Sequence, residues 1–385
     1  MLGNLGGVLL LHSLFLYENT NMIQAGEIEL QMKRKIQIYF LLAAAAVGAI
    51  VWLWMPEKEE KQEQNRYTAT FFEIFDTRTE IVGYANSEEE FKAQAELLKE
   101  KLTYYHKLFD IYNDYEGINN IKTINDNAGI KPVRVEDEVI ELLIFCKEMY
   151  ERSNAQVDVA MGSVLSIWHD YREKGLADPE RAEIPEMTEL KGAVKFADIS
   201  HLIIDTEART VYLDQKEMSL DVGGIGKGYA VQKVAEYAKG LGIESLLMSV
   251  GGNVCAVGEK GNGSSWKVGI QNPDRESAET YKAKVKVKDR SVVTSGNYQR
   301  YYLVDGVRYC HIIDPDTLMP ADYYASVTII AEDSGLADAM STAVYNMPLE
   351  EGMAFVDASD ELEAMWILKD GSIRYSENFE AYLEK

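Results

Sequence analysis

Cysteine is scarce in this chain. Cys146, Cys255 and Cys310 are the only three in 385 residues, and no two form a C-x-x-C pair. That spacing supports neither a zinc site nor a disulfide framework. Positive charge is also short: 39 Lys and Arg stand against 63 Asp and Glu, a net charge of -24. The body has no Lys/Arg cluster, which argues against nucleic acid as a partner, because phosphate contacts need such clusters. From Tyr67 to Lys385 there is no low-complexity break, no Pro-rich linker and no internal repeat. The common phosphate loops are missing too. In "LDVGGIGKGYAV", Leu220 to Val231, Gly226-Lys227 is followed by Gly228 where a Walker loop needs Ser or Thr, and Asp221 stands where its first Gly belongs. The same segment fails G-x-G-x-x-G by one residue.

What is present begins with one long apolar run. Lys33-Arg34-Lys35 precedes "IQIYFLLAAAAVGAIVWLW", Ile36 to Trp54, which carries no charge. At 1.5 Å per residue it spans about 28 Å as a helix, close to a bilayer core. The basic cluster favours a cytoplasmic N-terminus, and Trp52 and Trp54 suit the far interface. We therefore expect a cytoplasmic segment at 1–35, a single transmembrane anchor at 36–54, a solvated linker at 55–66 and an extracytoplasmic body at 67–385. A cleaved signal peptide is the alternative, with Ala43 to Ala46 as small residues, although the apolar run continues past them. Residues 1–31 look unlike a targeting segment and read as an over-extended start before Met32.

The body, with 46% hydrophobic residues in the chain, has enough apolar content for a packed core. "TATFFEIFDTRTEIVGYA" reads as a strand pair turning at Asp76-Thr77. "SEEEFKAQAELLKEKLTYYHKLFDIY" reads as a helix capped by Ser87, with Phe91, Ala95, Leu98, Leu102 and Tyr105 on its apolar face. Glu136 to Ser153 is a second helix. "RTVYLDQKEMSLDV" reads as a strand pair leading into the glycine segment. The helix that follows places Ala230, Val231, Val234, Ala235, Ala238 and Leu241 on one face and ends at Gly240 or Gly242. Short strands then follow at close spacing, and "SGLADAMSTAVYNM" is the last substantial helix. Helices with mostly hairpin-linked strands predict an α+β fold with antiparallel or mixed sheets.

Several segments carry chemistry. A helix N-terminus attracts anions, because its first amides are unpaired and the dipole is positive there. Asp221 beside that terminus would repel a phosphate unless a cation sat between them. Two readings of the glycine segment stand at this point: a metal-bridged phosphate site and a plain strand-to-helix turn. Asp338, Ser341 and Thr342 stand at i, i+3 and i+4 of the last helix and share a face. That is a hard-oxygen set suited to Mg²⁺ but short of a full shell. The structural alternative is that Asp338 complements a helix N-terminus and the hydroxyls are incidental. His311 in "YCHIIDP" reads as a strand residue of the core or rim, or as a proton acceptor for an attacking hydroxyl. Thr294-Ser295-Gly296 ends a strand as a turn or an anion contact. Asp158 in "QVDVAMGSV" caps a turn or accepts hydrogen bonds from a ring edge.

The order of these segments says more than any one of them. A D-x-x-G-x-G-K-G-Y-A run before a helix comes first. S-V-G-G-N, T-S-G-N-Y-x-R-Y, H-I-I-D-P and A-D-A-x-S-T-A follow. This series resembles the FAD:protein FMN transferase (ApbE-like) family from about Thr70 to the C-terminus. The resemblance implies an ApbE-like α/β roll with flavin in a cleft. It implies an enzyme that splits FAD with Mg²⁺, attaches FMN through a phosphoester to a Thr or Ser of a partner flavoprotein, and releases AMP. Such acceptors are subunits of membrane redox pumps or extracytoplasmic flavoproteins.

Residue by residue, the resemblance implies that Asp221 meets FAD and that the Gly224 carbonyl meets the metal. Lys227 falls at a flavin-site position often occupied by Glu. Asp338 and Thr342 match metal ligands, and Ser341 falls where some members carry a second Asp. Asp338 and His311 are then the catalytic pair, with His311 the candidate base and Ile312 beside it. Val157 and Asp158 lie in the flavin-binding turn, and Tyr112 matches an aromatic that meets a ring of FAD. Phe75 replaces the Met of an M-G-T motif and can still stack on a ring. Leu318 replaces the Gly of D-P-x-T-G, and since Leu resists left-handed geometry, that loop is expected to differ. Three other readings compete: an FAD pyrophosphatase with water as acceptor, a membrane-tethered flavin-binding module without catalysis, and, ranked low, an extracytoplasmic solute-binding protein.

Overall fold

A computed structural model describes residues 31–38, 40–43 and 64–384. The chain divides into two compact units, Met1–Lys61 and Gln62–Lys385. In the first unit, residues 31–38 and 40–43 are helical. Most of the apolar run at 36–54 lies outside the described residues. Among the described residues no helix is long and apolar enough to cross a membrane.

The second unit is built on an eight-stranded sheet in which every neighbouring pair is antiparallel. Its order is Asn65–Phe71, Thr79–Ala85, Ser245–Val250, Asn253–Gly258, Ser291–Gly296, Tyr324–Ala331, Glu363–Leu368 and Ile373–Tyr375. The first strand thus starts two residues before Tyr67. Eight helices accompany this sheet among the described residues. They are α1 (Glu88–Phe109), α2 (Ile121–Asp126), α3 (Asp137–Arg152), α4 (Gly162–Ala177), α5 (Met187–Ala193), α6 (Gly226–Gly240), α7 (Ser334–Tyr345) and α8 (Leu349–Asp357). The α+β reading holds, and its sheets are antiparallel.

The local signals explain most elements. Ser87 caps α1, its Oγ accepting from Glu90 N at 3.1 Å, and three glutamates fill the first turn, where the helix dipole favours them. Phe91, Ala95, Leu98, Leu102 and Tyr105 are all buried, as the 3.6-residue period requires. They join the apolar faces of α3, α6 and α7 in one core on one side of the sheet. The hairpin Trp266–Gln271 and Tyr281–Val287 covers the other side, burying Trp266, Val268 and Ile270 by strict alternation. A third cluster joins Trp168 of α4 to Tyr302, Ile313 and Leu318.

Four expectations need correction. Leu241 lies past the end of α6 and is exposed. The run before the glycine segment is not a strand: Thr210–Leu213 pairs with Leu202–Asp205, but Ser219 makes only a single bridge to Met161. The backbone of Leu220 is instead held by the Asn125 side chain, which accepts from Leu220 N at 2.8 Å and donates to its carbonyl at 2.9 Å. Those two groups are thus closed to a neighbouring strand on that edge. His311 follows the strand Val307–Cys310 and does not lie within it. Leu318 does adopt the left-handed region, with φ 62°. That conformation costs Leu roughly 1–2 kcal/mol. Its N–H donates to Asp314 O, its carbonyl accepts from Trp168 Nε1 at 2.9 Å, and its side chain is buried, so the surroundings hold the turn that Gly would take freely.

Candidate active site

One cavity of about 520 Å³ opens in the second unit. That size suits a small organic ligand. Nine separate segments reach it: the turn at Phe75–Thr77, the end of α1 with Tyr112, the loop with Val157 and Asp158, α4 with His169 and Arg172, the turn Asp221–Lys227, Asn253, the strand end at Thr294–Arg300, His311–Ile312, and α7 with Asp338 and Thr342. So Phe75, Tyr112, Val157, Asp158, Asp221, Gly224, Lys227, His311, Ile312, Asp338 and Thr342, far apart in sequence, line one space.

The inner end is built from α6 and α7. Asp338 is 5% exposed, and its Oδ2 accepts from Gly228 N at 2.7 Å and Asn253 Nδ2 at 3.1 Å. The acid therefore complements the N-terminal turn of α6, the structural role that the sequence left open. Its Oδ1 has no protein partner among the described residues. Burial raises the Asp338 pKa, with Lys227, Gly228 N and Asn253 opposing the rise. Such a carboxyl gains from a cation placed against it. Gly228 is required by this contact: a Cβ there would lie 2.3 Å from both Asp338 Cβ and Ser334 O.

Thr342 lies across from the glycine turn, its Oγ1 3.4 Å from where a Cβ on Gly224 would stand. Asp338, Thr342 and Gly224 line the same cavity, and a carboxylate oxygen, a hydroxyl and a backbone carbonyl are the hard donors that Mg²⁺ takes, though too few to complete its shell. Among the described residues no group of three or more His, Cys, Asp or Glu forms a metal cage. Ser341 does not join the set. It is fully buried, and its Oγ donates to Asp338 O at 2.9 Å and lies 2.8 Å from Ser295 Oγ. The i+3 position is rotated about 60° from Asp338 around the helix, and here that rotation turns it to the sheet.

The acids differ in setting. Asp221 has its pKa raised by burial, opposed first by the bond from Gly223 N and then by Lys227. Lys227 folds back on the turn, its Nζ donating to Gly223 O at 2.9 Å. Asp158 is pushed up to about 7 by burial, so it carries a proton part of the time near neutrality and can donate as well as accept at a ring edge.

His311 faces the cleft. Its Nδ1 lies 3.2 Å from Arg300 O, and a carbonyl only accepts, so Nδ1 carries the proton and Nε2 is left as a free base. The protein walls around the ring, then Arg300 and Lys227, hold its pKa below the ordinary histidine value. The ring is therefore neutral at neutral pH.

Sequence reasoning did not assign Asn253, Arg300, His169, Arg172 or His106. Asn253 and Arg300 stood inside quoted motifs, and the i, i+3 spacing of His169 and Arg172 on one helix was the available signal for those two. His106 accepts from Phe75 N at 3.3 Å and packs edge-on against the Phe75 ring at 5.5 Å, holding a turn in which Phe75 and Asp76 both have positive φ.

A sequence model of the ApbE family matches residues 75–366, about three quarters of the chain. The chain belongs to the ApbE family. Among ApbE-family relatives, the FAD:protein FMN transferase of Treponema pallidum is 33% identical over 66% of this chain and 72% of its own length. The FAD:protein FMN transferase of Klebsiella pneumoniae is 28% identical over 69% of this chain and 83% of its own. The crystal structure of the ApbE protein of Thermotoga maritima covers 83% of this chain and all of that one, with a TM-score of 0.73 at 28% identity. The flavin transferase ApbE of Vibrio cholerae, at 23% identity and a TM-score of 0.70, shares the fold.

Proposed function

We propose that this protein is an FAD:protein FMN transferase. It binds FAD in the cleft and joins the FMN phosphorus to a Thr or Ser hydroxyl of an acceptor flavoprotein, with AMP leaving. The observation that carries this reading is the convergence on one cavity of a base with a free Nε2 and a partial hard-oxygen set at Asp338 and Thr342. The family membership supports it.

The chain's own residues account for the steps. The acceptor oxygen approaches the FMN phosphorus while Nε2 of His311 takes its proton. The new O–P bond forms as the bond from that phosphorus to the AMP oxygen breaks, and the electron pair leaves with AMP. Arg300 O holds the imidazole in the tautomer that can accept. Asp338, Thr342 and the Gly224 carbonyl would hold Mg²⁺, which when bound neutralises charge on the pyrophosphate as a Lewis acid. Phe75, Tyr112, Val157, Asp158 and Ile312 offer ring contacts and a polar edge to the flavin. Asp221 and Lys227 flank the phosphates.

The test uses the full chain with FAD, with and without Mg²⁺, and an acceptor domain bearing a target Thr. A Mg²⁺-dependent fluorescent acceptor band with release of AMP is the expected result. AMP and FMN without labelling across a panel of acceptors would point to a pyrophosphatase. Bound FAD without turnover would leave a flavin-binding module.

The reading includes a membrane anchor. Lys33-Arg34-Lys35 before an uncharged run of bilayer length supports a single span with the transferase domain on the extracytoplasmic side. Protease added to intact spheroplasts should degrade the domain. Protection until the membrane is lysed would reverse the orientation.

A further inference from the structure

His169 and Arg172 stand at i and i+3 of α4, on one face of the helix. Arg172 Nη2 lies 2.9 Å from His169 Nδ1. A guanidinium only donates. The imidazole therefore accepts at Nδ1, and its ring proton sits on Nε2. The same ring lies against Tyr112, with centroids 5.2 Å apart at 32° and the phenol oxygen 3.5 Å from Nδ1. Tyr112, His169 and Arg172 all line the cleft that holds Asp221, Lys227 and His311.

The protein carries a net charge of -24, yet three cations, Arg172, Lys227 and Arg300, line this one cavity beside Asp76, Asp110, Asp158, Asp221 and Asp338. Among the described residues the one acid that pairs with Arg172 is Glu173, at 3.3 Å, and its side chain is 58% exposed. An exposed pair of that kind contributes little. The guanidinium has five donors, and those two partners leave most of them free. A planar cation with free donors, aimed by a neutral imidazole into a cleft, fits the oxygens of a phosphate.

We infer that Arg172 is a substrate-binding residue that clamps phosphate oxygens of a nucleoside diphosphate-type ligand, and that His169 is the positioning residue that aims it. This deepens the transferase reading and rests on it for the identity of the ligand. His169 orients Arg172 through one hydrogen bond and keeps its own ring against Tyr112, so the clamp and the aromatic wall form one unit.

The experiment titrates the full chain, in EDTA, with inorganic pyrophosphate and separately with riboflavin, which has no phosphate. Arg172→Gln should weaken pyrophosphate binding at least tenfold and leave riboflavin binding within twofold. Glu173→Gln should bind pyrophosphate as the native chain does. His169→Leu should weaken pyrophosphate binding, and His169→Asn should restore much of it, because Asn Oδ1 can accept where Nδ1 did. Pyrophosphate binding that Arg172→Gln leaves unchanged, or its absence from the native chain, overturns the clamp. Failure of His169→Asn to improve on His169→Leu removes the positioning role. If riboflavin does not bind while the Arg172 effect on pyrophosphate holds, the flavin reading falls and the clamp stands.

Discussion

Replacing Asp338 should abolish turnover while FAD still binds. Asp338→Ala removes the only carboxylate of the partial hard-oxygen set, and losing one such electrostatic stabiliser costs roughly 10²–10³ in rate or more. FAD affinity should change far less, because ring contacts and the phosphate-facing cations remain. Alanine has a second effect. It strips the acceptor from Gly228 N and Asn253 Nδ2, both buried, and each orphaned donor costs about 1–3 kcal/mol. A loss of activity in that variant alone could therefore be a loss of fold. Asp338→Asn separates the two. Its amide oxygen can take the place of Oδ2 and satisfy both donors, and that choice places the NH₂ group where Oδ1 was. The fold is kept, and a donor now faces the position a cation would occupy. Thermal denaturation should show a lowered midpoint for alanine and a near-native one for asparagine, with turnover lost in both. Turnover close to native in the asparagine variant would remove the metal-site assignment.

His311→Ala should slow FMN transfer by about 10²–10⁴, the range for a lost general base, with FAD binding preserved. The pH profile tests the role more sharply. A base works only when unprotonated. The cleft walls, Arg300 and Lys227 depress the His311 pKa, so the base stays active as pH falls through the ordinary histidine value of about 6.5. The acid limb of kcat/KM should accordingly lie below that value. Arg300→Gln removes a cation that opposes protonation, and the limb should move up toward the ordinary value. A limb that stays in place in Arg300→Gln, or a His311→Ala enzyme with native rates, would take the base role from His311.

Asp338 and His311 differ in how they could be read beforehand. Asp338 and Thr342 were legible as a pair, because an α-helix brings i and i+4 together whatever it packs on. Ser341 was not legible. At i+3 it lies at the boundary between the cleft and the sheet, and Ser295 of a neighbouring strand decided the side. The local features that were read correctly share this dependence on backbone geometry: the Ser87 cap, the apolar stripe of α1 and the alternation of Trp266–Gln271.

By itself the sequence determined the α+β character, the positions of the main helices, the uncharged run before the body and the ordered motifs that mark the family. Each depends on spacings of a few residues, set by the 3.6-residue helix turn or the two-residue strand repeat, or on residue identities in order. Only the tertiary structure decided which motif groups meet. Asn253 reaches Asp338 across 85 residues, His169 meets Tyr112 across 57, and Asn125 holds the Leu220 backbone across 95. It also decided that Leu318 takes a left-handed turn its own side chain disfavours. Such contacts depend on packing between distant segments, where a hydrogen bond or a buried side chain outweighs the local preference of the residue that makes it.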